Sequence, residues 1–142
     1  MELRFQKLDP AASLPRYAHH GDAGLDLAAG AELEVKPGER ALVPTGLAVA
    51  IPEGHAGLVL PRSGLASRQG LTLANSPGLI DAGYRGEVTI AVINLDPERT
   101  VSIAKGQRIA QLLVVPFVQV EPVEVAELPV SGRGEGGFGS TG

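Results

Sequence analysis

Five short stretches hold the side chains able to do chemistry. In "NSPGLIDAGYRGEV" (75–88) an Asn leads into an apolar strand, and a carboxylate, a flexible glycine and an aromatic ring follow within the four residues Asp81–Tyr84. Such a set suits a small-molecule pocket, with amides for recognition, a ring for shape and a base. The plainer alternative is a β-hairpin in which Asp81 serves the turn and Tyr84 packs. "PRSGLASR" (61–68) places Arg62, the Ser63 hydroxyl and the bare backbone of Gly64 after an apolar strand. Converging N–H groups there suit a phosphate, although alone the stretch reads as a strand-to-helix connection with Ser63 as N-cap. "HHGDAGLDLAA" (19–29) sets Asp22 and Asp26 among glycines. An Asp in such a turn more often caps the backbone than binds a ligand; Asp26, between Leu25 and Leu27, is the less ordinary of the two. His19 and His20 point to opposite faces of an extended chain with no partner cluster, so they are expected on the surface, as is His55. In "KGQRIAQLLVVP" (105–116) Arg108 and Gln111 interrupt an apolar strand. Gln111 needs a partner from another strand or a ligand, since an unsatisfied buried polar group costs roughly 1–3 kcal/mol. Finally, "GRGEGGFGSTG" (132–142) has six glycines in eleven positions, yet carries Arg133, Phe138, Ser140 and Thr141. It lacks the Lys of a nucleotide-binding P-loop.

The elements that must position these groups are short. Eleven prolines punctuate the 142 residues. The runs between them, "RALVPTGLAVAIP", "AGLVLPR", "EVTIAVINL" and "RIAQLLVVPFVQVEPVEV", are rich in β-branched residues and read as strands of a sandwich or barrel. One helical turn is expected, over 62–70. In "EVTIAVINL", Val88, Ile90 and Val92 face one way while Ala91, Ile93 and Leu95 face the other. Strands apolar on both sides in so small a protein call for a second buried surface, hence a homo-oligomer.

Composition narrows the classes further. The length is that of one domain, and 44% hydrophobic residues suffice for a core built of aliphatic side chains. The absence of cysteine excludes disulfides and thiolate chemistry. A net charge of −4 without a Lys/Arg run argues against nucleic acid as a partner. The charged opening "MELRFQKLDP" lacks a signal-peptide core and no run of about 18 apolar residues occurs, so no membrane partner and a cytoplasmic location are expected.

Taken together, "AGLDLAA", "PRSGLA", "GLIDAGYRGEV", "RIAQLL" and "RGEGGFGSTG" resemble, in content and order, the five motifs of the trimeric dUTP pyrophosphatases. The resemblance implies an all-β, jelly-roll-like domain over 1–131 and a mobile glycine-rich arm over 132–142. It implies a homotrimer with active sites at subunit boundaries. The implied reaction is dUTP plus water to dUMP and pyrophosphate, with Mg²⁺ chelating the triphosphate; this limits uracil in DNA and supplies dUMP for thymidylate. Asp81 is then the general base. Asn75, Gly78, Ile80 and Tyr84 receive uracil and deoxyribose, and Phe138 stacks on the base. Arg62, Ser63, Gly64, Gln111, Arg133, Gly137, Ser140 and Thr141 hold phosphates. Asp26 meets the metal through water, and Arg108 is a structural partner of the pocket or a phosphate contact. Two rivals share the fold: a dCTP deaminase, whose catalytic Glu would fall at Ala91, and a non-catalytic nucleotide-sensing trimer.

Overall fold

Proline and glycine breaks divide the chain into ten strands and one short helix. The computed structural model describes residues 1–142. In chain order the elements are β1 (Arg4–Lys7), β2 (Leu25–Ala28), β3 (Leu33–Val35), β4 (Arg40–Ala50), β5 (His55–Pro61), α1 (Ser63–Gln69), β6 (Leu71–Leu73), β7 (Gly78–Ile80), β8 (Glu87–Asn94), β9 (Val101–Ile103) and β10 (Arg108–Pro116). All pairings are antiparallel. One four-stranded sheet runs β1-β4-β8-β6, a second runs β2-β10-β5-β7, and β3 and β9 form a separate ribbon.

Alternation in the strands sends one row of aliphatic side chains from each sheet into a shared core. Val43, Ile90 and Val92 come from the first sheet, Leu27, Val59 and Leu112 from the second, and Val35 and Ile103 from the ribbon. This is the all-β architecture expected from the sequence. The polar exceptions are Thr45, whose hydroxyl donates to Val88 O (2.6 Å), and the fully buried Asn94, whose amide donates to Val35 O (2.9 Å) and Arg99 O (2.7 Å) while its carbonyl accepts from Asp96 N (2.9 Å). Asn94 ties the end of β8 to the ribbon and the loop beyond.

The outer faces are less well covered. Ala91 and Ile93 on β8 are half-buried, while Leu42 on β4, opposite Ala91, is 71% exposed and Leu95 is 63% exposed. Nothing within one chain covers this apolar surface.

Four expectations need correction. The turn after Asp81 is present, with Tyr84 N donating to Asp81 O (3.1 Å), but no hairpin forms around it. β7 pairs with β5 and β8 pairs with β4 and β6, so the turn carries the chain from one sheet to the other. Turn chemistry and apolar flanks are the same for both arrangements; the partners differ. Second, the helix is capped by Arg62 with no side-chain bond, and Ser63 is its first residue. Third, the last long run is a strand only to Pro116. Residues 117–131 are exposed throughout and find no ladder partner in the chain. Fourth, His55 is half-buried at the start of β5, its ring Nδ1 3.0 Å from Glu53 O, whereas His19 and His20 are exposed as expected.

Candidate active site

The break between the sheets around Asp81 opens a cavity of about 190 Å³. Asn75, Gly78, Ile80, Asp81 and Tyr84 all line it, and the buried Val88 and Ile90 form its floor. β7 delivers Ile80 into the core and Asp81 to its rim, where the carboxylate is exposed. The Arg85 guanidinium braces the turn, its Nη1 donating to Ala82 O (2.6 Å) and Tyr84 O (2.7 Å). The Tyr84 phenol folds back to donate to Glu87 O (2.9 Å). Its ring lies over Gly86, where a β-carbon would come within 2.6 Å of Cζ. Glu87 is fixed in turn, its Oε1 accepting from Gly46 N (2.7 Å) at the irregularity in β4. Gly78 is less confined: a β-carbon there would be 3.4 Å from Asn75 Nδ2 and 3.4 Å from Val59 Cβ, ordinary contact distances.

A second cleft, of about 430 Å³, lies where β5 runs into α1 beside β2 and β10. Asp26, Arg62, Ser63, Gly64 and Gln111 meet there. Register explains the meeting, because Asp26 on β2 faces Gln111 on β10, which in turn faces Leu60 on β5. Gln111 is satisfied by a neighbouring strand, its Nε2 donating to Pro61 O (3.0 Å). Gly24 makes room for it, since a β-carbon there would collide with the Gln111 amide. The mostly buried Asp26 carboxylate sits between two guanidiniums, 3.5 Å from Arg62 Nε and 3.0 Å from Arg108 Nη1. Arg62 also donates to Arg108 O (3.0 Å), which locks the three residues together. Asp22 caps its own turn, accepting from His19 N (2.7 Å).

No three His, Asp or Glu side chains gather in a way that could hold a metal ion. The donor set therefore does not make an all-protein cage. It fits a Mg²⁺ carried in on phosphates, because that ion keeps several waters and needs few carboxylates; Asp22 and Asp26 both line the cleft, and Asp26, with its oxygens facing guanidiniums, could meet the ion only through water.

The glycine-rich arm reaches neither place. Arg133 Nε donates to Gly136 O, Ser140 N donates to Gly137 O (3.0 Å), and Phe138 stands fully exposed with φ +48°. Arg133, Gly137, Phe138, Ser140 and Thr141 line neither cavity. One chain thus presents three separate features: the cavity at Asp81, the arginine-lined cleft, and the arm. The two cavities share no residue.

A family model described as dUTPase matches residues 11–142. The chain belongs to the dUTPase family. Curated relatives agree with this. The deoxyuridine 5'-triphosphate nucleotidohydrolase of Streptomyces avermitilis is 54% identical over 142 residues, covering all of this chain and 81% of that protein. The one from Mycobacterium tuberculosis is 54% identical over 145 residues, covering 99% of this chain and 94% of that protein. A Staphylococcus bacteriophage 80alpha dUTPase variant solved with dUpNHpp superposes with a TM-score of 0.92 at 34% identity, over 99% of this chain and 98% of that one. A dUTPase variant from phage phi11 of S. aureus superposes at 0.85 with 30% identity, over 92% of this chain and 100% of that one, and is described with a structural Mg(II) ion. The jelly-roll-like fold is therefore that of the family. No helix is long and apolar enough to cross a membrane.

Sequence reasoning missed several residues that shape the two cavities of this dUTPase-family chain. Gly24 and Gly86 are defined by what a β-carbon would strike, and Arg85 by the two carbonyls it clamps. Arg68, which also lines the cleft, could have been found from its i,i+4 spacing to Gly64 on a short helix.

Proposed function

We propose that the chain hydrolyses dUTP to dUMP and pyrophosphate as a homotrimer whose active sites join residues from neighbouring subunits. The observation that carries this reading is the split within one chain: a base-sized cavity with an open carboxylate, a separate cleft rich in guanidinium, and an unattached arm. Each part is fitted to one portion of a nucleoside triphosphate, and none is sufficient alone. The uncovered apolar surface at Leu42 and Leu95 supports the assembly, because exposed apolar side chains on strands gain from burial against another copy.

In this reading uracil enters the cavity beside Asn75, whose amide and the backbone from Gly78 to Ile80 meet its acceptor–donor–acceptor edge. A pocket built on hydrogen bonds rejects the mismatched cytosine edge by roughly 10⁴-fold or more, because its own polar groups go unpaired. Tyr84, held over Gly86, walls the sugar and leaves no room for a 2′-hydroxyl. Asp81 orients a water and takes its proton as the water oxygen bonds to the α-phosphorus; the bond from that phosphorus to the bridging oxygen breaks, and pyrophosphate leaves. A positioned base typically contributes about 10²–10⁴-fold, so the remaining acceleration comes from in-line placement and from the charges around the phosphates. Arg62, Ser63, Gly64 and Gln111 supply these from the cleft, with Asp26 holding Arg62 and Arg108 in place. Bound Mg²⁺ would neutralise charge on the triphosphate oxygens. Ordering the arm costs roughly 1–2 kcal/mol per residue, and stacking of Phe138 on a base returns only about 1–3 kcal/mol. Closure therefore needs the phosphates as well, gripped by Arg133, Ser140 and Thr141.

The deaminase rival finds little support. Ala91 lines the base cavity without a carboxylate, and Glu87 is occupied by Gly46 N. The test is pyrophosphate release from dUTP, dCTP, dTTP and UTP with and without Mg²⁺, alongside sedimentation. We expect a trimer selective for dUTP, and for Asp81→Ala retained binding of dUpNHpp with turnover lowered at least 10²-fold. Ammonia from dCTP, or an unreactive dUTP, would overturn the reading.

A further inference from the structure

The helix that follows Gly64 brings another guanidinium into the phosphate cleft. Arg68 stands four residues beyond Gly64 on α1, so the two share one face of the helix. Its Nη2 would lie 2.6 Å from a β-carbon at position 64, so the guanidinium occupies the place a side chain there would take. Glycine at 64 lets Arg68 lie down over the turn rather than being held away from it.

Its electrostatic situation differs from that of its neighbours. Arg62 and Arg108 are both paired with Asp26, at 3.5 and 3.0 Å, and Asp22 is committed to its own turn. Arg68 lines the same cleft yet makes neither an ion pair nor a hydrogen bond to any protein group. Its charge is thus the one guanidinium charge in the cleft left without a protein counter-ion. A planar fork of N–H donors without acceptors, set beside a hydroxyl and an amide, is matched to the non-bridging oxygens of a phosphate.

We propose that Arg68 is a further substrate-binding residue, which contacts the polyphosphate and makes affinity depend on the number of phosphates carried. This rests on the reading of the cleft as the phosphate site of a dUTP-hydrolysing enzyme. Full-length wild-type, R68Q and R68K proteins are titrated calorimetrically with dUpNHpp and with dUMP at two salt concentrations, and pyrophosphate release is followed in parallel. R68Q is expected to weaken dUpNHpp binding roughly 10- to 100-fold, the range for loss of a hydrogen bond to a charged group. Binding of dUMP should change far less, the salt dependence for dUpNHpp should flatten, and R68K should recover part of the loss. Equal affinity of R68Q and wild type for dUpNHpp overturns the proposal. So does an equal loss for both ligands, which would mark Arg68 as a support of the fold. If wild type cleaves dUTP while R68Q matches it in every titration, only the role of Arg68 fails. If wild type neither binds dUpNHpp nor cleaves dUTP, the functional reading fails and this inference with it.

Discussion

Replacing Gly86 with alanine isolates the role of the Tyr84 ring. The new β-carbon would stand 2.6 Å from Cζ and 3.0 Å from Cε2 of Tyr84, with the phenol oxygen also in its path. Carbon atoms prefer roughly 3.5–4.0 Å, so the ring must retreat by about 1 Å. Gly86 is not in the left-handed region, and an alanine backbone is accommodated there without strain. Tyr84 is 46% exposed and free to swing, so the displacement falls on the ring and not on the core. The bond from its hydroxyl to Glu87 O is lost, at a net cost of about 0.5–1.5 kcal/mol, which leaves the protein folded. A wall of the base cavity displaced by about 1 Å can lower kcat/KM by roughly 10²-fold. Steady-state pyrophosphate release from dUTP and UTP, with a melting curve as control, reads both effects. We expect kcat/KM for dUTP to fall toward that limit and the preference over UTP to shrink. In a Tyr84→Ala background the same change should have no further effect, because contacting residues are coupled. Wild-type kinetics and selectivity in Gly86→Ala, or an undiminished penalty in the Tyr84→Ala background, would refute the reasoning.

Removing residues 132–142 should leave the oligomer intact by sedimentation while lowering kcat severely, since those residues line neither cavity and belong to no sheet. Asn94→Ala strands three backbone groups at the end of β8 and should cost about 3–5 kcal/mol; calorimetry should show a melting point lower by roughly 10 °C. Hydrogen bonds from Glu98 N and Arg99 N hold the Asp96 carboxyl below the ordinary carboxylate range. A depressed folded value contributes stability above the unfolded pKa that is lost as pH falls through the folded one. Asp96→Asn should therefore melt lower than wild type near pH 6, and the two curves should converge as the medium is acidified below about pH 4.

The parts of the fold that were legible are those whose boundaries are written locally. Prolines and glycines delimit β4 and β5, and Gly70, with φ +71°, ends α1 where the run "RSGLASRQ" stops. What the sequence hid were choices of partner. The stretch 75–88 is compatible with a hairpin, and only the capture of β7 by β5 and of β8 by β4 decides that the turn bridges two sheets. The alternation in 117–125 is that of a strand, but a strand needs a neighbour, and within one chain none arrives. The site follows the same rule. Asp81, Asn75 and Tyr84 lie within ten residues and were legible as a group, whereas the grip of Arg108 on Asp26 joins positions 82 apart. Gly24 and Gly86 carry no chemistry of their own, so their importance emerges only when the space beside them is found to be filled.

That long-range grip also supports the proposed division of labour between the two carboxylates. Asp26 and Asp81 both line cavities, and either could serve as base on chemistry alone. Asp26, however, has one oxygen facing Arg62 and the other facing Arg108, and Arg62 is bonded in turn to the backbone of Arg108. Moving it would release both guanidiniums, so in the proposed reaction its part is to hold charge in position for the phosphates. Asp81 forms no ion pair, its side chain is exposed at the cavity rim, and its carbonyl rather than its carboxylate closes the turn. Its oxygens remain open, as the proposed role of orienting a water requires. A base that must stay unpaired and a cleft that must stay cationic are hard to keep side by side, because each would neutralise the other. In the proposed trimer, keeping them in separate parts of the chain, to be joined by assembly around the substrate, would let each retain its charge until the nucleotide lies between them.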